Sequence, residues 1–346
     1  ARARIGAALR ARLPGDAGAF AAAVAVGDRS GIPAEALQAL RDSNLAHLLA
    51  ISGLHMALVC GFVFSAARLG FALIPGVALQ FPVKKIAACV ALAAGAAYLA
   101  LSGAGTPTQR AFVMAAAALG AVLCDRPAVT LRALAAAAFA VLIAAPESLG
   151  AVGFQMSFAA TLALVTAYDA ARRRGWLTPD GRLWRRLLGY AAALAFTSVI
   201  AGAATAPFAA HHFNRLTSYG LLANLAAVPA LGLWAAPALL AAAAAAPFGL
   251  EGPPLRLAGA GVDWILTVAR FFAGQSGAVR AVPAAPHAAF LLIALGGLQL
   301  CLWRGAALRA VGAGALAIGF ALWAFGAERP KALAAPGAAL AGVLGP

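Results

Sequence analysis

Two histidines and a serine stand close together in His47-Leu-Leu-Ala-Ile-Ser52-Gly53-Leu-His55, at the start of a long apolar run. Read as one helix rising about 1.5 Å per residue, the string sets the histidines about 12 Å apart on one broad face. That is too wide for a shared metal ion, whose histidine ligands on a helix stand one turn apart. Ser52 is three residues before His55, within hydrogen-bonding reach, and Gly53 lets a second backbone or a ligand come close. The trio is either a polar cluster that glues helices together or a functional site, since polar groups entering a bilayer are costly.

A second string is Gly105-Thr106-Pro107-Thr108-Gln109-Arg110. Thr106 suits an N-cap and Pro107 a first helical residue, so a helix is predicted to begin here. Its free N–H groups and the Arg110 charge make an anion site; the plainer alternative is a capped helix with a snorkelling arginine. Gln155 and Ser157 in Phe154-Gln-Met-Ser-Phe158 lie inside an apolar run, two residues apart and so on opposite faces, where interhelical hydrogen bonds would occupy both. His211 and His212, followed by Phe213, Asn214 and Arg215, close another run. Adjacent histidines on a helix face apart, which argues against a metal pair.

The elements that carry these residues follow from composition. Of 346 residues, 63% are apolar and 11% are Asp, Glu, Lys or Arg, against roughly a quarter charged in a soluble domain. With a mean hydropathy of +0.89, the chain is read as all-α, a polytopic integral membrane helix bundle. Apolar runs at 45–69, 86–101, 108–124, 131–145, 149–168, 187–210, 217–246, 255–273, 287–303 and 306–326 predict about ten transmembrane helices. The run at 217–246 is too long for one straight span, and Pro229 and Pro237 mark it as kinked or as two half-helices. Residues 1–43 are predicted to form short amphipathic membrane-surface helices, 44–326 the transmembrane domain and 327–346 a tail. Cys60, Cys89, Cys124 and Cys301 have no metal-ligand spacing, and neither metal nor cofactor is expected.

Lys and Arg number 26 against 11 Asp and Glu. If every run crosses once, fourteen of the cations fall on the side reached after the first run, including the arginines of 170–186. Six lie in the opposite loops and tail, and six in the N-terminal segment on that same side. The asymmetry makes the richer side cytoplasmic, with both ends of the chain outside. His47, Arg110, His211, His212 and Arg215 then share the outer side, as a vestibule for anions.

These strings together resemble the competence domain of the ComEC family. HLLAISGLH after GDRSGIPAEALQALRDSNLA, then PTQR, then PESLGAVGFQMSFAATLAL, then HHFNRLTSYGLLANLAAVP, follow the family's order over roughly residues 20–240. HLLAISGLH is the specific signal; PTQR and FQMSF are weak alone. The resemblance implies a channel in the bacterial inner membrane that passes one strand of transforming DNA into the cytoplasm. It places His47, Ser52, Gly53, His55, Gln109, Arg110, Gln155 and Ser157 at family motif positions, with no catalytic role. Full-length members often carry an oligonucleotide-binding fold before this region and a metallo-β-lactamase-like nuclease after it. The chain has no H-x-H-x-D-H cluster, so the expectation is a channel without the nuclease.

The expected partners are single-stranded DNA, membrane lipid and other competence proteins. A strand carries a charge on every nucleotide, so its path needs polar and cationic lining without deep wells. Two other function classes remain. A secondary transporter for a small anion predicts a compact midplane site and internal symmetry, neither of which is visible. An intramembrane enzyme would pair Ser52 with a histidine, but G-x-S-x-G and H-E-x-x-H are both absent.

Overall fold

A computed structural model describes residues 2–74, 76, 80–175, 183–326, 332–334 and 341–343. Helices dominate: α1 (Arg2–Arg12), α2 (Gly15–Val26), α3 (Ala34–Asp42), α4 (Gly53–Ala72), α5 (Val83–Leu101), α6 (Thr106–Leu123) and α7 (Leu131–Ala144) come first. There follow α8 (Val152–Arg173), α9 (Leu183–Phe213), α10 (Gly220–Pro229), α11 (Ala236–Ala245), α12 (Gly252–Ala273), α13 (His287–Leu302) and α14 (Ala306–Gly326). Local chemistry sets many ends. The Thr130 hydroxyl caps α7 by accepting from Ala133 N–H at 3.1 Å. Gly27, with φ +71°, closes α2 in the left-handed conformation that carries no Cβ penalty in glycine.

Each predicted apolar run contains helix, so the all-α bundle stands. The count of about ten spans is not matched by length and composition. Among the described residues five stretches are both long and apolar enough to cross: Gly53–Ala72, Val83–Leu101, Leu188–Phe213, Gly220–Phe248 and Ala306–Gly326. The others fall short for two reasons. The 14 residues of α7 and the 16 of α13 reach only about 21 and about 24 Å against a hydrocarbon core of about 30 Å. Polar residues dilute the rest: Thr108, Gln109 and Arg110 in α6, Gln155 and Asp169 in α8, Arg256, Asp263 and Arg270 in α12. The long run does break at its prolines. A π-helical turn over Ala230–Ala235 joins α10 to α11, beginning after Pro229 and ending two residues before Pro237. The wider turn takes up the hydrogen bonds that proline cannot donate.

The chain packs as two units: residues 1–202 with 217–279, and 203–216 with 280–346, the division falling inside α9. In the first unit, α2 is surrounded: Ala21, Ala22, Ala23 and Val26 have no exposure and Phe20 1%. Phe20, Leu40, Leu45, Leu48 and Leu49 pack with Leu231, Val262 and Ile265 in one core. The N-terminal helices, predicted as surface pieces, therefore contribute to the interior of this unit. Small side chains let a helix be enclosed at close backbone distance, and α2 is mostly Ala and Gly. Polar ties hold it: Tyr98 Oη donates to Val24 O at 2.7 Å, Arg10 pairs with Asp28 at 2.6 Å, and Arg12 and Arg270 pair with Glu251 and Asp16.

The second unit is organised by the α13–α14 hairpin. A Cβ on Gly296 would lie 2.7 Å from Gly312 O, and one on Gly319 would lie 2.9 Å from Ala289 O. Glycines thus set the backbone-to-backbone approach. Ala285, Ala289, Phe290, Ile293 and Trp323 form the core beside it with Ala210. In the C-terminal tail, Ala332–Ala334 pairs antiparallel with Ala341–Val343.

Candidate functional site

The His47–His55 string is not one helix. Ala46–Leu48 is a 3-10 turn, and α4 begins only at Gly53 because Ser52 is its N-cap. His47 is exposed, with Nδ1 2.9 Å from Asn44 O, so the two histidines do not share a helical face. His55 is 2% exposed. Ser52 N–H donates to His55 Nδ1 at 3.2 Å, and Ser52 Oγ lies 3.1 Å from the same nitrogen. With Nδ1 accepting, the imidazole proton belongs on Nε2, which is buried and has no partner among the described residues. A Cβ built on Gly53 meets nothing within 4 Å, so the close approach expected there is not made.

The second motif folds as predicted with a shift of one residue. Gly105 is the N-cap of α6, Thr106 its first residue and Pro107 its second. Gln109 Nε2 donates to Ala104 O at 2.8 Å and so braces the turn before the helix. Arg110 does not add its charge at the helix mouth as expected. It is 7% exposed, and its guanidinium lies over Gly153, where a Cβ would stand 2.7 Å from Nη2 and 3.3 Å from Cζ. Nε is buried without a partner among the described residues.

Gly153 is the second residue of α8, whose N-cap Ala151 offers no side-chain bond. Phe154 N and Gln155 N donate to Ala151 O, leaving the earlier N–H groups to find partners outside the helix. Gln155 Nε2 reaches back to Leu149 O at 3.1 Å, and Ser157 O accepts from Thr161 Oγ1 at 2.8 Å. The PTQR and FQMSF motifs, separate in sequence, therefore meet where Arg110 lies on the start of α8. The electrostatics there are one-sided, because the positive end of a helix faces a guanidinium.

His211, His212 and Arg215 belong to the second unit, and His47 and Arg110 to the first, so the vestibule predicted from topology divides over both. His211 stacks on Phe290 with ring centroids 4.1 Å apart and planes 9° apart, and its ring meets those of His212 and His287 at 5.0 and 5.6 Å. The two adjacent rings thus touch edge to face, where the sequence had them facing apart. No group of three His, Cys, Asp or Glu suited to a metal ion occurs among the described residues. His287 was missed by sequence reasoning; its one signal is its place after Pro286 at the start of α13. Arg2 and Arg29 were also missed as site residues. They line a cavity of about 320 Å³ with Ser102 and Thr108, in front of α6.

No solved structure matches the chain. ComE operon protein 3 of Bacillus subtilis (strain 168) is similar, with 26% identity over 218 residues, 63% of this chain and 25% of that protein. The matched region thus spans about a quarter of that relative's length. The model of the competence protein family matches residues 24–307, a range that takes in α4, α6 and α8 with their motifs. The chain belongs to the competence protein family, the ComEC proteins.

Proposed function

We propose that this chain is the transmembrane part of a DNA-uptake machine, passing a single strand of transforming DNA across the bacterial inner membrane. The observation that carries the reading is Arg110. Arg110 is 7% exposed as a residue and its Nε is buried without a partner among the described residues; a cation so placed against the positive end of α8 is destabilised without an anion. Such a site is built for a visiting negative group. The phosphodiester of a moving strand is an anion that arrives, neutralises the charge and leaves. The surplus of 26 cations over 11 acidic residues and the five apolar stretches support the same reading.

In this scheme the arginine-rich 170–186 connection faces the cytoplasm and both ends of the chain face outward, with membrane lipid and other competence proteins as partners. The chain acts as a conduit, without chemistry of its own. The Ser/His enzyme reading is the weaker one, because His55 Nδ1 already accepts from Ser52 N–H and does not stand as a free base for the hydroxyl. A small-anion transporter would also use Arg110, and the size of the transported solute separates the two.

The test is DNA import per folded molecule in cells whose resident copy is replaced. Arg110→Gln is expected to cut import strongly and Arg110→Lys to retain part of it, with membrane insertion unchanged. Normal import per molecule in Arg110→Gln removes Arg110 from the path. Loss of surface DNA binding together with import, on deletion of the chain, argues for a receptor rather than a conduit.

A further inference from the structure

The cavity in front of α6 lies apart from Arg110, which is not among its lining residues, and it has its own chemistry. Its polar lining is Arg2, Arg29, Ser102 and Thr108, with glycines at 27, 103 and 105 bringing backbone to its wall. No Asp or Glu lines it. Asp28, the nearest acid in sequence, is engaged elsewhere, by Arg10 Nη1 at 2.6 Å and by the Ser30 hydroxyl at 2.6 Å.

Arg2 is held in place. Its Nη2 donates to Gly27 O at 2.8 Å, and a Cβ on Gly103 would stand 2.3 Å from Nη1, so only glycine there admits the guanidinium. Gly103 also has φ +82°, which an L side chain rarely adopts. Arg29 is exposed, and its guanidinium makes no hydrogen bond or ion pair among the described residues. The start of α6 has no side-chain cap, so backbone N–H groups of its first turn are unsatisfied by the helix. Thr108, the third residue of α6, is 4% exposed, lines the cavity, and its hydroxyl makes no hydrogen bond among the described residues. The hydroxyl is not among the fully buried side-chain atoms that lack a partner, so it keeps access to a partner from the cavity. Here it stands with two guanidiniums and a helix N-terminus.

We infer that this cavity is a phosphate subsite that holds one phosphodiester of a nucleic-acid strand through Arg2, Arg29, Thr108 and the N-terminus of α6. Both arginines offer two-pronged contacts to phosphate oxygens, and the helix end adds backbone donors. Ile51 and Pro107 supply an apolar wall beside the charge, suited to a sugar rather than to water. The start of α6 then serves two anion sites, since Thr108 and Arg110 are two residues apart and point to different sides of the helix. The inference rests on the DNA reading above and specifies where one phosphate would sit.

The test uses the full chain in nanodiscs of zwitterionic lipid and a fluorescent oligothymidylate, with affinity measured by anisotropy over a range of salt. Arg29→Gln is expected to weaken binding about tenfold at low salt and to lower the slope of log K against log salt by about 0.7. Thr108→Val, close in shape, is expected to weaken binding without changing the slope. Thermal melting checks that both variants are folded; Arg29 is exposed, so its loss leaves the core intact. On an oligomer with neutral methylphosphonate linkages the difference between Arg29→Gln and the unaltered chain is expected to vanish, and a difference that persists overturns phosphate recognition. Inorganic phosphate or anionic lipid that abolishes the difference at low concentration assigns the site to that source and overturns the strand subsite. Binding by the unaltered chain that Arg29→Gln leaves unchanged overturns the site alone. Absence of salt-dependent binding by the unaltered chain overturns the DNA reading and the site with it.

Discussion

Gly153→Ala separates the function of Arg110 from its contribution to folding, because the two effects have opposite signs. The added Cβ would lie 2.7 Å from Arg110 Nη2, 3.3 Å from Cζ and 3.4 Å from Nη1. An unstrained contact is about 3.5 Å, so the guanidinium must withdraw by about 0.8 Å from the start of α8. It sits at the far end of a flexible side chain, so the backbone need not move. Alanine in a helix is favoured over glycine by about 0.5–1 kcal/mol in the interior, and by less near the end. Thermal stability is therefore expected to hold or rise slightly. Import is expected to fall, because a displaced guanidinium gives up one charge-assisted hydrogen bond to the phosphate, worth about 1.5–3 kcal/mol, or about 10- to 100-fold. The assay pairs thermal melting of the purified chain with DNA import per folded molecule in cells. Full import at undiminished stability would refute the argument, since the guanidinium could then leave its place over Gly153 without consequence.

Tyr98→Phe removes the hydrogen bond from α5 to Val24 O and is expected to lower stability by about 1 kcal/mol, read by denaturant titration. Gly296→Ala sets a Cβ 2.7 Å from Gly312 O and 3.0 Å from Leu316 N, both backbone atoms that cannot step aside; a loss of about 1–3 kcal/mol is expected, and a melting point equal to that of the unaltered chain would count against the hairpin packing. Asp28 is held below the usual carboxylate range, first by the Ser30 hydroxyl and then by Arg10. A carboxyl whose folded-state value lies below its unfolded value of about 4 stabilises the fold above that pH, and the stabilisation is lost as pH falls further. Asp28→Asn is accordingly expected to flatten the acid limb of a stability-against-pH curve, and an unchanged limb would assign acid sensitivity to other groups. For the sidedness of the loops, Arg126→Cys and Ser276→Cys, both exposed positions, are expected to label from opposite sides with an impermeant thiol reagent in a cysteine-free background; labelling from one side would overturn the alternation of spans.

The class of fold is written in composition: with 11% charged residues, lipid is the only solvent that suits the surface. Helix positions followed from apolar runs and breakers, down to Pro107 near the start of α6 and the break between Pro229 and Pro237. The motifs also pointed to the right neighbourhoods, since HLLAISGLH, PTQR and FQMSF all mark helix beginnings. Such signals are local, carried by residues within a turn or two of one another, and a sequence displays them directly.

What each side chain faces is not local, and tertiary structure decided it. Periodicity set His47 and His55 about 12 Å apart on one broad helix face, whereas the Ser52 cap starts α4 between them and only His55 is buried. The sequence set the Arg110 charge in the first turn of α6, but Arg110 is the fifth helical residue and a glycine 43 positions later opens the space over which its guanidinium lies. The cations that line the cavity there come from α1 and from the loop after α2, a region read as membrane-surface helices. A segment as rich in alanine as α2 has no strong stripe to show which face packs, and small side chains permit enclosure on every side. Long-range packing of that kind brings Arg2 and Arg29 to Thr108, and no spacing in the sequence could have joined them.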